Sequence, residues 1–169
     1  MILSNNTNAR SFIFCSVYFG PHENNTYFNE GPGHFHQWLY LVEGQAQAKF
    51  SQTKSGDTVD HEFELQKDQL YNLADSYGKY VITNTADQGA SMIMFNPIPD
   101  DKNLSIDILK GPHTQELSAG QHRTTVVCIN GPVSIKNKEL ESLQFATLLP
   151  NSSGQLEIPA NCTCAIVRG

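Results

Sequence analysis

Gly31-Pro32-Gly33-His34-Phe35-His36-Gln37-Trp38-Leu39-Tyr40-Leu41-Val42-Glu43-Gly44-Gln45-Ala46-Gln47-Ala48-Lys49-Phe50 is the stretch whose reading decides the fold. Its Gly-Pro-Gly opening is a turn, because proline donates no backbone hydrogen bond and glycine reaches conformations closed to other residues. Large apolar residues follow from Trp38 to Val42, then Glu43-Gly44, then small residues alternating with polar ones. That pattern predicts extended chain over 38–50, since side chains two apart in a strand share a face. If the strand begins upstream of Trp38, His34 and His36 present two imidazoles on one side. Such a pair can bind a metal, move a proton or grip a polar ligand.

Outward from this stretch, helical periodicity is nearly absent. Short runs of alternating, β-branched or aromatic residues recur between Gly, Pro, Asn and Asp. Strands are expected near 11–19, 38–50, 59–65, 69–73, 79–84, 90–95, 104–109, 124–129, 132–136, 143–149, 155–158 and 163–167. About a dozen short strands at regular spacing predict an all-β sandwich or barrel. Asn130-Gly131 between two β-branched runs reads as a two-residue hairpin. In 59–65, Val59, Phe63 and Leu65 share a face with His61, which reads as a half-exposed strand residue rather than a ligand.

Asn96-Pro97-Ile98-Pro99-Asp100-Asp101-Lys102-Asn103 has the composition of a linker. It predicts a first domain over 1–96, a linker over 97–103 and a shorter second domain over 104–169. The two parts echo each other. Tyr40 to Ala48 resembles Val127 to Ile135, with Gly44 and Gly131 87 residues apart, and Leu70 to Ala74 resembles Leu156 to Ala160, 86 apart. A shared offset points to an internal duplication.

Composition bounds the function. A chain of 169 residues with 39% apolar and 17% charged residues can bury a sizeable core. Its net charge of −6 argues against a nucleic-acid partner, which calls for a basic face. The N-terminal stretch lacks the charge-first, long apolar pattern of a secretory signal, and no run reaches the roughly 20 apolar residues of a membrane span. A soluble, cytoplasmic protein without membrane partners is expected. Cys15, Cys128, Cys162 and Cys164 form no Cys-x-x-Cys pair, and their Val and Ile neighbours predict buried thiols, with a structural zinc site as the alternative. No phosphate-cradling glycine loop or Gly-x-Ser-x-Gly elbow occurs.

The motifs resemble those of the cupin superfamily. Gly33-His34-Phe35-His36 is similar to the opening of its first motif, and Tyr40 to Gly44 to its end. Lys67 to Leu73 with Tyr80 to Asn84 resembles a degraded second motif, and Leu149-Pro150 with Leu156 to Asn161 a second copy of it. The resemblance implies a cupin-like jelly roll, the double-stranded β-helix, in two repeats. It also implies a divalent metal (Fe, Mn, Ni or Zn) held by three histidines and a glutamate. His34 and His36 match two of these ligands. Gln37 stands where the glutamate belongs and Tyr80 where the third histidine belongs, so the set is incomplete. His22, His113 and His122 are candidate substitutes, each equally readable as a loop histidine.

A small-molecule ligand is therefore expected in the first barrel, lined by His34, His36, Gln37 or Trp38, and Tyr80, with Tyr40, Tyr71 and Phe95 as walls. Three functions stay open. The first is a metal-dependent dioxygenase or isomerase, and the second a metal-free cupin that binds a ligand or serves assembly. The third is a metal-free sugar epimerase or isomerase with His36 as base and Tyr80 as acid. A jelly roll with an exposed apolar face would pair as a homodimer, although no such face is marked in the sequence.

Overall fold

The computed structural model describes residues 12–29, 38–54, 57–72, 78–97 and 104–169. Among them are sixteen strands and no helix. The first eight are β1 (Phe12–Phe19), β2 (Asn24–Asn29), β3 (Trp38–Glu43), β4 (Ala46–Lys54), β5 (Asp57–Leu65), β6 (Leu70–Asn72), β7 (Gly78–Asn84) and β8 (Ala90–Pro97). The rest are β9 (Ser105–Lys110), β10 (His113–Ser118), β11 (Thr124–Asn130), β12 (Val133–Ile135), β13 (Lys138–Leu140), β14 (Phe145–Leu148), β15 (Ser153–Ile158) and β16 (Thr163–Arg168). They divide into two compact units, β1–β8 and β9–β16.

Each unit is a pair of four-stranded antiparallel sheets. The first has the orders β1-β8-β3-β6 and β2-β7-β4-β5, and the second β9-β16-β11-β14 and β10-β15-β12-β13. Adding eight to every label of the first unit gives the second. Both units are jelly rolls, and the duplication expected from the sequence is present in the strand order. Within each unit only one pair of consecutive strands lies side by side, β4 with β5 and β12 with β13. Every other connection crosses to the opposite sheet.

That topology corrects three expectations. Residues 38–50 are two strands in different sheets, parted at Gly44. Gly44 has φ +89°, and a Cβ there would stand 2.7 Å from the backbone of Ala90, so only glycine fits this turn. Asn130-Gly131 is the matching crossover of the second unit and not a hairpin, since β11 and β12 belong to different sheets. The two-residue hairpin is Lys136-Asn137, with φ of 51° and 61°, both of the sign that a type I′ turn requires. Finally, Leu70 to Asn72 is the sixth strand of its unit and Leu156 to Ile158 part of the seventh, so their likeness is alternation without common position. The 87-residue echo does hold. Register shifts occur between Leu41 and Glu43 against β8 and between Cys128 and Asn130 against β16, at equivalent places. Strands β2, β10 and β13 were not expected, being short or mainly polar.

Each unit also has its own core. Leu39, Leu41, Ala46, Ala48, Ile82, Met92 and Met94 fill the first, and Val126, Cys128, Val133, Ile135, Leu156, Cys164 and Ile166 the second. The segment from 98 to 103, most of the expected linker, lies outside the described residues.

Candidate functional site

The inner face of β4, β5 and β7 changes character along its length. Register pairs Ala46 with Leu65 and Asn84, Ala48 with Phe63 and Ile82, and Phe50 with His61 and Tyr80. At the Ala46 level the side chains are small or aliphatic and buried. Asn84 fastens this end, its Nδ2 donating to the carbonyls of Gly20 (2.9 Å) and Gln88 (2.6 Å) and its Oδ1 accepting from the Ala86 N–H (3.0 Å). At the Phe50 level the lining is aromatic and reaches solvent. Phe50 and Phe63 are half-buried, and His61 is exposed. The His61 ring lies over Phe50 with centroids 5.0 Å apart and planes 21° apart. Phe63 meets Phe50 edge-on at 5.8 Å, and Tyr71, from β6, meets Phe63 at 5.6 Å. Tyr80, 1% exposed, lies beside Phe50 on β7.

Tyr71 and Tyr80 are thus brought together in one inner cluster. Tyr71 offers it only a ring, because its hydroxyl accepts from the Gln66 N–H (2.7 Å) and donates to Gln69 Oε1 (3.2 Å). Tyr40 falls between the inward Leu39 and Leu41, and alternation puts it on the opposite face of β3. Its hydroxyl donates to Asp68 (3.0 Å). Burial, and then the Asp68 carboxylate, hold this phenol well above its ordinary pKa. Trp38 shares Tyr40's face, as does its register partner Phe95, whose ring is 6.3 Å from that of Phe14. Trp38, Tyr40 and Phe95 therefore lie outside the barrel lining. His34, His36 and Gln37 fall outside the described residues. His22 pairs with Asp87 at 2.8 Å on the surface. His113 and His122 flank opposite ends of β10, His113 half-buried and His122 exposed.

At the equivalent level the second barrel has no such wall. Ile135 and Leu156 pair where Ala48 and Ile82 do, and two residues along β15 Gly154 takes the register position of Tyr80. The aliphatic stem of Lys136 covers Gly154, its Cγ 2.4 Å from where a Cβ would stand.

Comparison with known proteins agrees on the architecture. No protein-family profile and no curated protein matches the chain. Solved structures do. AerE from Microcystis aeruginosa superposes with a TM-score of 0.63 at 11% identity, over 99% of this chain and 95% of that one. Salicylate 1,2-dioxygenase from Pseudaminobacter salicylatoxidans gives 0.59 at 11% identity, over 99% of this chain and 76% of that one. A formate complex of oxalate decarboxylase from Lactobacillus farciminis gives 0.62 at 7% identity, over 95% and 76% respectively. The fold is that of a two-repeat cupin.

Of the metal set that the cupin resemblance implies, only the Tyr80 position falls among the described residues, and it does not fit. Tyr80, at the expected position of a histidine, is packed among hydrocarbon. A phenol there must lose a proton of pKa near 10 against burial before it can ligate a cation. No group of three His, Cys, Asp or Glu side chains suited to a metal occurs among the described residues. Sequence reasoning missed Phe50 and Phe63 as cupin lining and set His61 aside. The signal was present as apolar residues at 46, 48 and 50 and at 63 and 65. It became readable only once β4 and β5 were known to pair, since that pairing aligns His61 with Phe50.

Proposed function

We propose that the first cupin barrel binds a small planar molecule against the wall formed by Phe50, Phe63 and Tyr71, backed by the buried Tyr80, with His61 at the open end. The observation that carries this is the gradient along the inner face. One end is buried and fastened by Asn84, while the other leaves aromatic surface half-exposed. Aromatic side chains offer flat apolar area at little cost in rotamer entropy, and offset stacking favours a flat partner. A fold-level likeness to proteins named for small carboxylic acids, salicylate and oxalate, agrees with a ligand of that size. The test is a thermal-shift and fluorescence screen of aromatic and aliphatic carboxylic acids on the wild type and Phe50→Ala. Binding of aromatic acids by the wild type, weakened at least tenfold in Phe50→Ala, is expected. Equal binding by both proteins would remove the wall from the reading.

A second reading, a metal-dependent enzyme, is favoured by His34-Phe35-His36 two residues before β3 and by the enzymes that share this fold. In it His34 and His36 hold the ion, which supplies Lewis-acid or redox chemistry when bound. Elemental analysis of the wild type beside a His34→Ala/His36→Ala variant decides it. Near-stoichiometric metal that is lost in the variant supports the reading, and metal content unchanged by the substitutions sinks it.

A further inference from the structure

We propose that Cys128 and Cys164 are a dithiol couple that oxidises to a disulfide joining β11 and β16, the two central strands of their sheet. The residues lie directly opposite each other in antiparallel register. Backbone hydrogen bonds define the kind of pair. The Cys128 N–H donates to the Gln144 carbonyl (2.9 Å), and the Cys128 carbonyl accepts from the Leu143 N–H (2.7 Å). Both polar groups of Cys128 therefore point away from β16, which makes Cys128–Cys164 a non-hydrogen-bonded pair. In such pairs the Cα atoms stand about 4.5 Å apart and the side chains approach most closely. A disulfide spans Cα separations of about 4.4–6.8 Å. Both side chains sit on the inner face in one cluster, both are buried and both are free thiols.

The chemistry assigns an order. Burial pushes the Cys164 thiol up to about 12 and that of Cys128 to about 11, and a Val133 backbone N–H bonded to the Cys128 sulfur opposes the rise there. Cys128 is therefore the more available thiolate. With hydrogen peroxide as oxidant, the Cys128 sulfur attacks one oxygen and breaks the O–O bond, giving a sulfenic acid and one water. The Cys164 sulfur then attacks the Cys128 sulfur and displaces the second water as the S–O bond breaks. Two thiols give up two electrons and two protons, and one peroxide becomes two waters.

Cys162 is the competing partner, since it is buried in the same cluster. The test is peroxide treatment of the full-length protein in native buffer, followed by thiol blocking, digestion without reduction and mass mapping. A crosslinked peptide joining Cys128 to Cys164, lighter by two hydrogens, is expected in the wild type and in Cys162→Ala. It should be absent from Cys164→Ala, with circular dichroism confirming that both variants fold. Its rate of formation should rise about tenfold per pH unit between roughly pH 8 and 10, as the thiolate fraction grows. Cys128 linked to Cys162 instead, or Cys128 and Cys164 both recovered as blocked thiols, would overturn the proposal.

Discussion

At the level of β4 and β12 the two barrels can be laid over each other residue by residue. Ala46 and Ala48 correspond to Val133 and Ile135, Ile82 to Leu156, Tyr80 to Gly154 and Asn84 to Ile158. The crossover glycines Gly44 and Gly131 match, and so do the irregularities just before them. What differs is the filling. The first barrel places the small Ala48 opposite Phe63 and leaves its Phe50 end open to solvent. At these positions the second places β-branched and aliphatic side chains and covers the Tyr80 position with a lysine stem over a glycine. The strand order is the same in both, and the proposed ligand site of the first barrel rests on its interior side chains. Exchanging residues between equivalent positions tests that separation, and the single tryptophan, Trp38 on β3, makes fluorescence a probe of the first barrel alone.

Asn84 and Ile158 should give the largest effect. Asn84 is fully buried and meets three backbone groups, so Asn84→Ala takes their partner from the Gln88 carbonyl and the Ala86 N–H, while the Gly20 carbonyl keeps the Glu23 N–H, and leaves a cavity at a buried position. Loss of about 3 kcal/mol from the first barrel is expected in urea unfolding followed by Trp38 fluorescence. Asn84→Ile installs the residue the second barrel uses, and it should rescue little, because the Gln88 carbonyl and the Ala86 N–H still lose their side-chain partner. A stable Asn84→Ile protein would mean that the two closed ends are interchangeable after all.

These positions also show how much could be read from the sequence. The strand content and the duplication follow from alternation and from one nine-residue echo, whereas the crossovers at Gly44 and Gly131 do not. The pairing of strands does not follow. Asn130-Gly131 has hairpin chemistry, yet β12 departs to the other sheet, and Lys136-Asn137 turns the real hairpin with residues that carry a weaker turn signal. The same blindness affected the site. Alternation told that Tyr40 and Leu41 face opposite ways, but only the packed structure told which way is in. Tyr71 and Tyr80 line the barrel, while Trp38, Tyr40 and Phe95 do not.

Alkaline pH should weaken both barrels, the first through Cys15 and Tyr40, whose pKa values burial also raises, and the second through its pair of thiols. Cys128 and Cys164 have folded pKa values of about 11 and 12, raised from an ordinary 9.0 by burial. Above pH 9 the unfolded chain releases these protons while the folded barrel retains them. Stability is therefore fully present below pH 9 and falls as pH rises toward 11–12. By pH 10 the loss is on the order of 1 kcal/mol for each thiol. Cys164→Ala should flatten the dependence seen by circular dichroism, with the Trp38 transition unchanged between the wild type and the variant over the same range. An equally steep pH dependence in Cys164→Ala would place the titrating group elsewhere.

Gly154→Ala should have the smallest effect, and its sign depends on a neighbour. A Cβ at Gly154 would meet Lys136 Cγ at 2.4 Å and Cε at 2.9 Å, contacts that the flexible lysine can relieve by swinging away. In a strand, alanine for glycine is worth about 0.5–1 kcal/mol through the unfolded chain alone. Against that gain stands the apolar cover lost when the lysine stem leaves Gly154. The single variant should therefore sit within about 1 kcal/mol of the wild type. In a Lys136→Ala background no stem has to move, so the same substitution should stabilise, and the double-mutant cycle should return a coupling between the two positions. Independent effects would show that Lys136 merely lies across the glycine. A coupling would identify the lysine stem as what fills the space that Tyr80 occupies in the first barrel.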